Sequence, residues 1–301
     1  MKNSDKQNTI DASFKKDRVL LFGANGQLGH DLLNRLKDEY DVTGIVRDDC
    51  DVTDIASVEQ AIVGHKPGII INCVAYNKVE DAENNVELAY AVNAFAPYHM
   101  AKLANSIGAI FVHVSTDYVF DGTKGSAYLE SDPTCPINVY GLSKRDGEEL
   151  ALLAVNECYV FRTSGLYGLN SGGGKGYNFV TRMLRSCDGE VQVVDDQFVS
   201  PTYTVDLADA IYGILKRRAP FGVYHAVNDG LVSWCDFTKL IFGEMKCGAS
   251  VVPITTSASP TKIRRPRNTG LSCAKLNQVG IVMPSTEDAL RRYLQELNKR
   301  V

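Results

Sequence analysis

Short, continuously apolar segments alternate with longer amphipathic segments through the first half of this 301-residue chain. The apolar segments predict strands at Arg18–Phe22, Asp41–Val46, Ile69–Asn72, Ala109–Val114 and Tyr159–Arg162. The intervening segments predict helices at Gln27–Lys37, Ser57–Val63, Val86–Ser106 and Val139–Ala154. Strands that are apolar on both faces are typical of a parallel sheet covered by helices. The alternation therefore predicts an α/β fold with a doubly wound parallel sheet of the Rossmann type.

The pattern loosens after Arg162, where loops and short elements replace the regular alternation. The stretch Gly165–Gly176 is rich in glycine and serine and predicts a mobile loop over a site. The C-terminal third mixes short strands, helices and polar loops, which is typical of a smaller C-terminal substrate-binding lobe. We predict a flexible polar tail at 1–17, a Rossmann domain at 18–165 plus about 191–227, and the substrate-binding lobe at 166–190 plus 228–301.

Composition narrows the class of protein. The net charge of −4 and the pI near 5.8 argue against nucleic-acid binding, which usually needs a basic surplus. No apolar run reaches the roughly 18 residues of a membrane helix, and the polar opening lacks the apolar centre of a secretory signal. The eight cysteines form no Cys-x-x-Cys pair, which predicts reduced thiols, no metal site and a cytoplasmic protein. His113 is expected to be a packed strand residue.

A glycine trio follows the first predicted strand and opens the first predicted helix. Gly23 permits a tight turn, Gly26 lets the backbone approach a pyrophosphate, and Gly29 allows close packing of helix and sheet. Gln27 and Leu28 lie in the same turn, where the free N–H groups of the helix N-terminus attract phosphate. The spacing is G-x-x-G-x-x-G, and its place between strand and helix predicts a dinucleotide-binding site; the alternative is a turn needed only for packing.

The end of the second predicted strand bears on the choice of cofactor. An acidic residue there would hold a ribose 2′-hydroxyl, but this strand ends in Arg47, which can accommodate the 2′-phosphate of NADP. We therefore predict NADPH, with NADH as the alternative, and a merely solvated Arg47 as the simpler interpretation. Asp51 and Val52, just beyond, are expected to line the adenine pocket.

Tyr140 and Lys144 lie four residues apart in a predicted helix and therefore share one face. Carbonyl reduction needs a proton donor at the oxygen, and Tyr140 can supply that proton. The Lys144 ammonium is expected to lower the pKa of Tyr140 toward working pH. Lys144 can also hold the ribose hydroxyls of the nicotinamide. Thr116 ends the fourth predicted strand and can hydrogen-bond the same carbonyl oxygen. The alternative is a surface helix that happens to carry a tyrosine and a lysine.

These residues belong to a set of motifs spread from about Arg18 to the C-terminus. The motifs are GANGQLG, INCVAYNKVEDAE, STDYVFDG, PINVYGLSK, FRTSGLYG, DQFVSPT and RRPRNTGL. Together they resemble the extended short-chain dehydrogenase/reductases, and specifically the dTDP-4-dehydrorhamnose reductase family. The resemblance implies NAD(P)H-dependent reduction of the 4-keto group of dTDP-4-dehydro-L-rhamnose to dTDP-L-rhamnose. It also implies that Thr116, Tyr140 and Lys144 are the catalytic set.

The same resemblance implies further site residues and a homodimer. The residues expected beside the cofactor are Asn72, Val74, Ala75 and Tyr76. Those expected to face the nucleotide sugar are Tyr118, Gln197 and Arg265. Arginine suits bidentate contact with a diphosphate, although this basic loop can equally be solvated.

Two departures from the family pattern leave other functions open. The family commonly has Trp where this chain has Gly165, and Thr where it has Asn77. Loss of an aromatic ring at position 165 is expected to enlarge or soften the sugar pocket. This departure supports the alternative to the preferred reductase, a regulatory subunit that resembles the beta subunit of methionine adenosyltransferase and binds NADP without sugar chemistry. A 4,6-dehydratase is disfavoured, because Asp117 is followed by Tyr118 and not by the expected glutamate.

Overall fold

The computed structural model describes residues 15–170, 176–260 and 263–300. Most of the predicted tail, and residues 171–175 of the predicted mobile loop, lie outside the described residues. The first strand begins at Lys15, three residues earlier than predicted. Along the described ranges, no helix is long and apolar enough to cross a membrane.

Strands occur along the whole described chain. In order they are β1 (Lys15–Phe22), β2 (Asp41–Ile45), β3 (Pro67–Asn72), β4 (Ile110–Thr116), β5 (Cys158–Thr163), β6 (Glu190–Val194), β7 (Phe198–Val199), β8 (Gly222–His225), β9 (Val232–Ser233) and β10 (Ser250–Ile254). The five predicted strands are all present, within a few residues of their expected bounds.

Helices separate most of these strands. They are α1 (Gln27–Leu36), α2 (Ile55–His65), α3 (Val79–Ala82), α4 (Val86–Tyr90), α5 (Ala96–Ile107), α6 (Val139–Ala154), α7 (Phe179–Leu184), α8 (Thr204–Arg217), α9 (Trp234–Met245), α10 (Ala274–Gln278) and α11 (Thr286–Asn298). A π-helical turn, Ala91–Phe95, joins α4 to α5 within the single helix that the sequence predicted. Helix α6 has the predicted bounds. It begins at Val139 because the side chain of Asn138 caps the first turn and accepts from the backbone N–H of Gly141 at 2.8 Å.

The central sheet has six parallel strands in the order β2-β1-β3-β4-β5-β8. Apolar side chains of α1 and α8 cover one face, and those of α2 and α5 cover the other. Every residue of β5 is buried, as the continuous apolar patterns predicted. The doubly wound α/β prediction is confirmed. From β1, the next strand in sequence, β2, lies on one side, and β3, β4 and β5 follow on the other. The order of the strands therefore switches between β1 and β3, and the carboxyl ends of these two strands border a crevice suited to a ligand.

A smaller lobe packs beside the carboxyl ends of the sheet. Strands β6 and β10 pair with each other in parallel, and β7 pairs with β9 antiparallel. The core of this lobe includes Tyr167, Phe237 and Tyr293. Because β6 pairs inside this lobe and α8 packs on the sheet, we propose that the returning Rossmann segment begins near residue 200 and not at 191.

The prediction of reduced thiols throughout is wrong for one pair of cysteines. Cys187 and Cys247 are joined by a disulfide, although 60 residues separate them in sequence. The N–H of Ala249 donates to the carbonyl oxygen of Cys187, so the disulfide lies where the paired segments of β6 and β10 begin. Sequence spacing did not indicate this pairing, because the folding of the smaller lobe alone brings the two thiols together.

Candidate active site

The glycine turn between β1 and α1 has the geometry that the sequence predicted. Gly23 has φ +82°, a conformation that glycine adopts at little cost. A Cβ atom at Gly29 would lie 2.1 Å from the carbonyl oxygen of Gly23, so only glycine allows the helix to start this close to the turn. Gly26 is the N-cap of α1, and among the described residues no side chain caps it. Gly26, Gln27 and the first turn of α1 all line the cleft.

Gly29→Ala should weaken NADPH binding by about tenfold or more, because the new methyl group must displace the Gly23 carbonyl and the turn that carries it. Isothermal titration calorimetry with NADPH measures this effect. The matched control is Gly64→Ala in α2, where an added Cβ meets no atom of the described residues within 4 Å. Equal NADPH affinity of the Gly29→Ala and wild-type proteins would contradict the role of this turn.

Three predicted cofactor residues lie at the end of β2 and just beyond it. Arg47 is exposed and lines the cleft. The Asp51 carboxylate accepts from the N–H and hydroxyl of Thr53 at 2.9 and 2.8 Å, and these hydrogen bonds lower its pKa. Val52 is buried and offers an apolar surface to the same part of the cleft.

The segment after β3 forms the opposite side of the cofactor crevice. Val74, Ala75 and Tyr76 line the cleft, whereas Asn72 is fully buried beneath it. The side-chain oxygen of Asn72 accepts from the N–H of Val74 at 3.0 Å. Asn72 therefore supports this segment from below, and its neighbours Val74, Ala75 and Tyr76 line the cleft.

Asn93 was missed by the sequence reasoning. It lies in the π-helical turn, and its side-chain amide both accepts from the N–H and donates to the carbonyl oxygen of Tyr76, at 2.8 and 3.2 Å. Its nitrogen also donates to the hydroxyl of Ser143, at 3.0 Å, in the helix that carries Tyr140 and Lys144. A single asparagine thus connects the cofactor side of the crevice to α6. A π turn leaves no periodic signal in the sequence, which is why this contact was not predicted.

Helix α6 brings Tyr140 and Lys144 to the floor of the cleft. Lys144 is 1% exposed, and its Nζ donates to the carbonyl oxygen of Val114 at 2.6 Å. Its Nζ also lies 3.4 Å from Nε2 of His113. His113 is buried, as predicted. Burial and then the charge of Lys144 hold the pKa of His113 well below its ordinary value, so a neutral imidazole faces the ammonium. The carbonyl oxygen of Val114 and the imidazole of His113 together fix the position of the Lys144 side chain from below.

The predicted lowering of the pKa of Tyr140 is wrong in this structure. Burial raises the pKa of Tyr140, while a hydrogen bond to Thr116 opposes the rise and the charge of Asp117 adds to it. Lys144 instead has its own pKa lowered to about 8, because burial disfavours its charge more than Glu148 restores it. The ammonium is directed at a backbone carbonyl and not at the phenol. Tyr140 therefore keeps its proton at neutral pH, as a proton donor must.

The lowered pKa of Lys144 predicts a fall in kcat/KM as pH rises through about 8. Above that value the buried amine is neutral and its positive charge is lost from the site; kcat/KM reports this ionisation in the free enzyme. A pH–rate profile measures it. Lys144→Arg is the control, because guanidinium stays charged and its residual activity should lack this decline. A wild-type profile that is flat to about pH 10 would contradict the prediction.

Thr116 ends β4 beside a buried carboxylate. Its hydroxyl donates to Asp117 at 3.0 Å and accepts from the N–H of Tyr118 at 3.2 Å. Asp117 also accepts from the hydroxyls of Ser164 at 2.7 Å and Thr269 at 2.5 Å. Burial raises the pKa of Asp117, and these hydroxyl donors oppose the rise. Asp117 thus links the end of β4 to the residue after β5 and to the C-terminal segment that carries Thr269. No role in the site was assigned to this carboxylate from the sequence.

The predicted substrate residues border the same cleft. Tyr118 packs edge-on against Tyr140, with ring centroids 5.7 Å apart, and burial raises its pKa to about 12. Gln197 is buried and donates to the hydroxyl of Thr256 at 2.9 Å. Arg265 pairs with Glu80, and its buried Nε has no hydrogen-bond partner among the described residues.

Gln27 joins the cofactor turn to the smaller lobe. Its side-chain oxygen accepts from the N–H of Gly168 at 2.8 Å and from the side-chain amide of Asn178 at 3.1 Å. Asn178 also donates to the carbonyl oxygen of Gly168 and to the hydroxyl of Tyr293, at 2.9 and 3.1 Å. The side-chain oxygen of Gln27 therefore links the cofactor turn to the smaller lobe.

The cleft between the lobes has a volume of about 1050 Å³. It is continuous from the glycine turn, past Tyr140 and Lys144, to Gln197 and Arg265. This volume lies at the upper end of the range of ligand sites, which suits a large ligand that extends from the glycine turn to the smaller lobe.

The chain is similar to known proteins along nearly its whole length. A family model described as the RmlD substrate binding domain matches residues 17–299. The chain is 38% identical over 282 residues to the spore coat polysaccharide biosynthesis protein SpsK of Bacillus subtilis, covering 93% of this chain and 97% of that one. It is 38% identical over 275 residues to a dTDP-4-dehydrorhamnose reductase of Mycobacterium tuberculosis, covering 89% and 88%. The crystal structure of dTDP-4-dehydrorhamnose reductase from Bacillus anthracis in complex with NADP superposes with a TM-score of 0.88 at 38% identity, covering 94% and 100%.

Proposed function

This chain belongs to the family of dTDP-4-dehydrorhamnose reductases, and from that membership we propose that it uses NADPH to reduce the 4-keto group of dTDP-4-dehydro-L-rhamnose, giving dTDP-L-rhamnose. It is an NADP-dependent oxidoreductase of the short-chain dehydrogenase/reductase type, in dTDP-rhamnose biosynthesis. The observation that carries the proposal is the convergence of Thr116, Tyr140 and Lys144 on one cleft with the glycine turn.

The residues of the crevice fit a nicotinamide dinucleotide. The glycine turn leaves room for a pyrophosphate at the start of α1, where a Cβ on Gly29 would not fit. Farther along the cleft, Oγ of Ser115 and Oγ1 of Thr163 are buried and lack a hydrogen-bond partner within the described ranges. Such orphaned hydroxyls support a polar ligand at the carboxyl ends of β4 and β5. Arg47 supports NADPH over NADH, because it can meet a 2′-phosphate.

Tyr140 is the proposed proton donor to the carbonyl oxygen of the substrate. Bound NADPH would supply a hydride to the carbonyl carbon. Tyr140 gives its phenolic proton to the oxygen, so that the negative charge does not build up there. Thr116 holds the Tyr140 hydroxyl, and water returns a proton to the phenolate left behind. Lys144, whose Nζ donates to the carbonyl oxygen of Val114, is proposed to hold the ribose hydroxyls of the nicotinamide.

Arg265 is proposed to bind the diphosphate of the nucleotide sugar. Within the described ranges the Arg265 Nε has no hydrogen-bond partner, and part of the side chain is exposed, so the guanidinium has donors left for an anion. A guanidinium can donate to two phosphate oxygens at once. Asn138 steadies the loop by donating to the carbonyl oxygen of Arg264 at 3.0 Å. Tyr118 and Gln197 are proposed to contact the sugar on either side.

The deciding experiment follows NADPH oxidation with dTDP-4-dehydro-L-rhamnose as substrate. Turnover that requires both the sugar nucleotide and NADPH supports the reductase. Binding of NADPH with no turnover on this or related 4-keto sugar nucleotides would favour the regulatory subunit instead. Net dehydration without NADPH consumption would favour a dehydratase.

We propose a cytoplasmic location, because the relatives include a polysaccharide biosynthesis protein and a reductase crystallised with NADP. We propose a homodimer from the class of enzyme alone, and sedimentation equilibrium of the purified protein measures it.

A further inference from the structure

Gly165 follows the end of β5 and turns the chain away from the sheet. Its φ is +53°, in the left-handed region that favours glycine. A Cβ at this position would lie 3.2 Å from Cα of Pro201 and 3.3 Å from Cη2 of Trp234. Both contacts are tighter than ordinary van der Waals packing. The space beside Gly165 that a side chain would need is therefore already bordered by the indole of Trp234.

Trp234 is the first residue of α9 and the single tryptophan of the chain. Its ring packs on Phe179, with centroids 4.3 Å apart, and it is half-buried on the edge of the smaller lobe's core. The backbone N–H of Trp234 donates to the carbonyl oxygen of Gln197 at 3.3 Å. Both aromatic rings and Gln197 line the cleft. One face of the indole is thus fixed by packing while the residue borders the ligand space.

The contacts around Gly165 locate this ring relative to the catalytic groups. Ser164, the preceding residue, donates to Asp117, and Asp117 accepts from Thr116. Gly165 and Ser164 are adjacent, so the contacts run from Trp234 through these two residues and Asp117 to Thr116. Trp234 borders the cleft on the side of the smaller lobe. The glycine turn that fits the dinucleotide lies on the other lobe. Trp234, Thr116 and Tyr140 line the same cleft, so a sugar bound there can meet both the ring and the proton donor.

We propose that Trp234 is the apolar wall against which the deoxysugar ring of the substrate packs, and that Gly165 is the residue that leaves room for it. A 6-deoxy sugar presents C–H bonds and a methyl group, which pack well on an aromatic face, while its hydroxyls need separate polar partners. From the sequence, the sugar pocket is expected to be larger or softer because position 165 lacks an aromatic ring. Trp234, at the start of α9, supplies an aromatic ring beside this position. The inference deepens the proposed reductase function and rests on it.

The single tryptophan makes the test direct. Indole emission is recorded while wild-type protein with NADP is titrated with dTDP-L-rhamnose and, separately, with dTDP. We expect a clear change in emission with dTDP-L-rhamnose and a much smaller change with dTDP. In kinetics, Trp234→Leu should raise KM for the 4-keto sugar nucleotide by about tenfold, leave KM for NADPH unchanged and leave dTDP affinity unchanged.

Two variants keep this test independent of folding. Trp234→Phe retains a ring and should keep KM within about threefold of wild type. Phe242→Leu removes a ring from the same core without facing the cleft, and its KM for the sugar nucleotide should be unchanged. If Trp234→Leu does not fold, the emission titration decides.

Several outcomes would overturn the inference. An equal change in emission with dTDP would place the ring on the nucleotide and not on the sugar. An unchanged KM of folded Trp234→Leu, with normal wild-type turnover, would remove the sugar-binding role but leave the reductase intact. Absence of turnover in the wild-type protein would instead overturn the proposed function, and this inference with it.

Discussion

Tyr140→Phe is expected to lower kcat by about 10²- to 10⁴-fold, the usual contribution of a positioned proton donor. The change removes one oxygen atom and keeps the ring that packs edge-on against Tyr118, so the shape of the cleft should survive. Because the phenol acts only as the carbonyl oxygen gains charge, NADPH affinity should be nearly unchanged. Steady-state rates with dTDP-4-dehydro-L-rhamnose and calorimetry with NADPH measure the two quantities.

Tyr118→Phe is the matched control for this loss of a phenol. Tyr118 lies in the same cleft, and its proposed role is contact with the substrate and not proton transfer. It should therefore raise KM with a kcat within about tenfold of wild type. If Tyr140→Phe kept more than about a tenth of wild-type kcat, another group would have to be the proton donor.

Glu148→Ala is expected to lower the free energy of unfolding by about 3–5 kcal/mol, because it leaves a buried arginine without its counter-charge. Glu148 and Arg162 are 1% and 5% exposed. Arg162 donates to Glu148 through Nε and Nη2, at distances from 2.7 to 3.1 Å. Urea denaturation followed by circular dichroism measures the change.

Glu149→Ala is the control for that loss of a carboxylate. Glu149 is the next residue of α6, but its side chain is 62% exposed and 3.9 Å from Arg145, so its removal should change stability by no more than about 0.5 kcal/mol. A similar small effect of Glu148→Ala would show that the buried pair contributes little. The pair also bears on catalysis, since the charge of Glu148 opposes the lowering of the pKa of Lys144.

Much of the Rossmann half was predictable because its signals are local. Continuous apolar strands and the glycine turn at Gly23 are each encoded within about ten residues. The four-residue spacing of Tyr140 and Lys144 sets their common face in α6 by helix geometry alone. The hydrogen bonds between Asn93, in the π-helical turn, and Tyr76 were not predictable, because the two residues lie 17 positions apart in sequence.

The sequence by itself determined the doubly wound sheet, the dinucleotide turn and which side chains carry the proposed proton transfer. Only the tertiary structure decided the pairing of β6 with β10, the Cys187–Cys247 disulfide and the placement of Trp234 beside Gly165. It also reversed the expected direction of the pKa of Tyr140. The physical reason is the same in each case. Local backbone preferences act between neighbours in sequence, whereas burial and contact depend on segments that folding alone brings together.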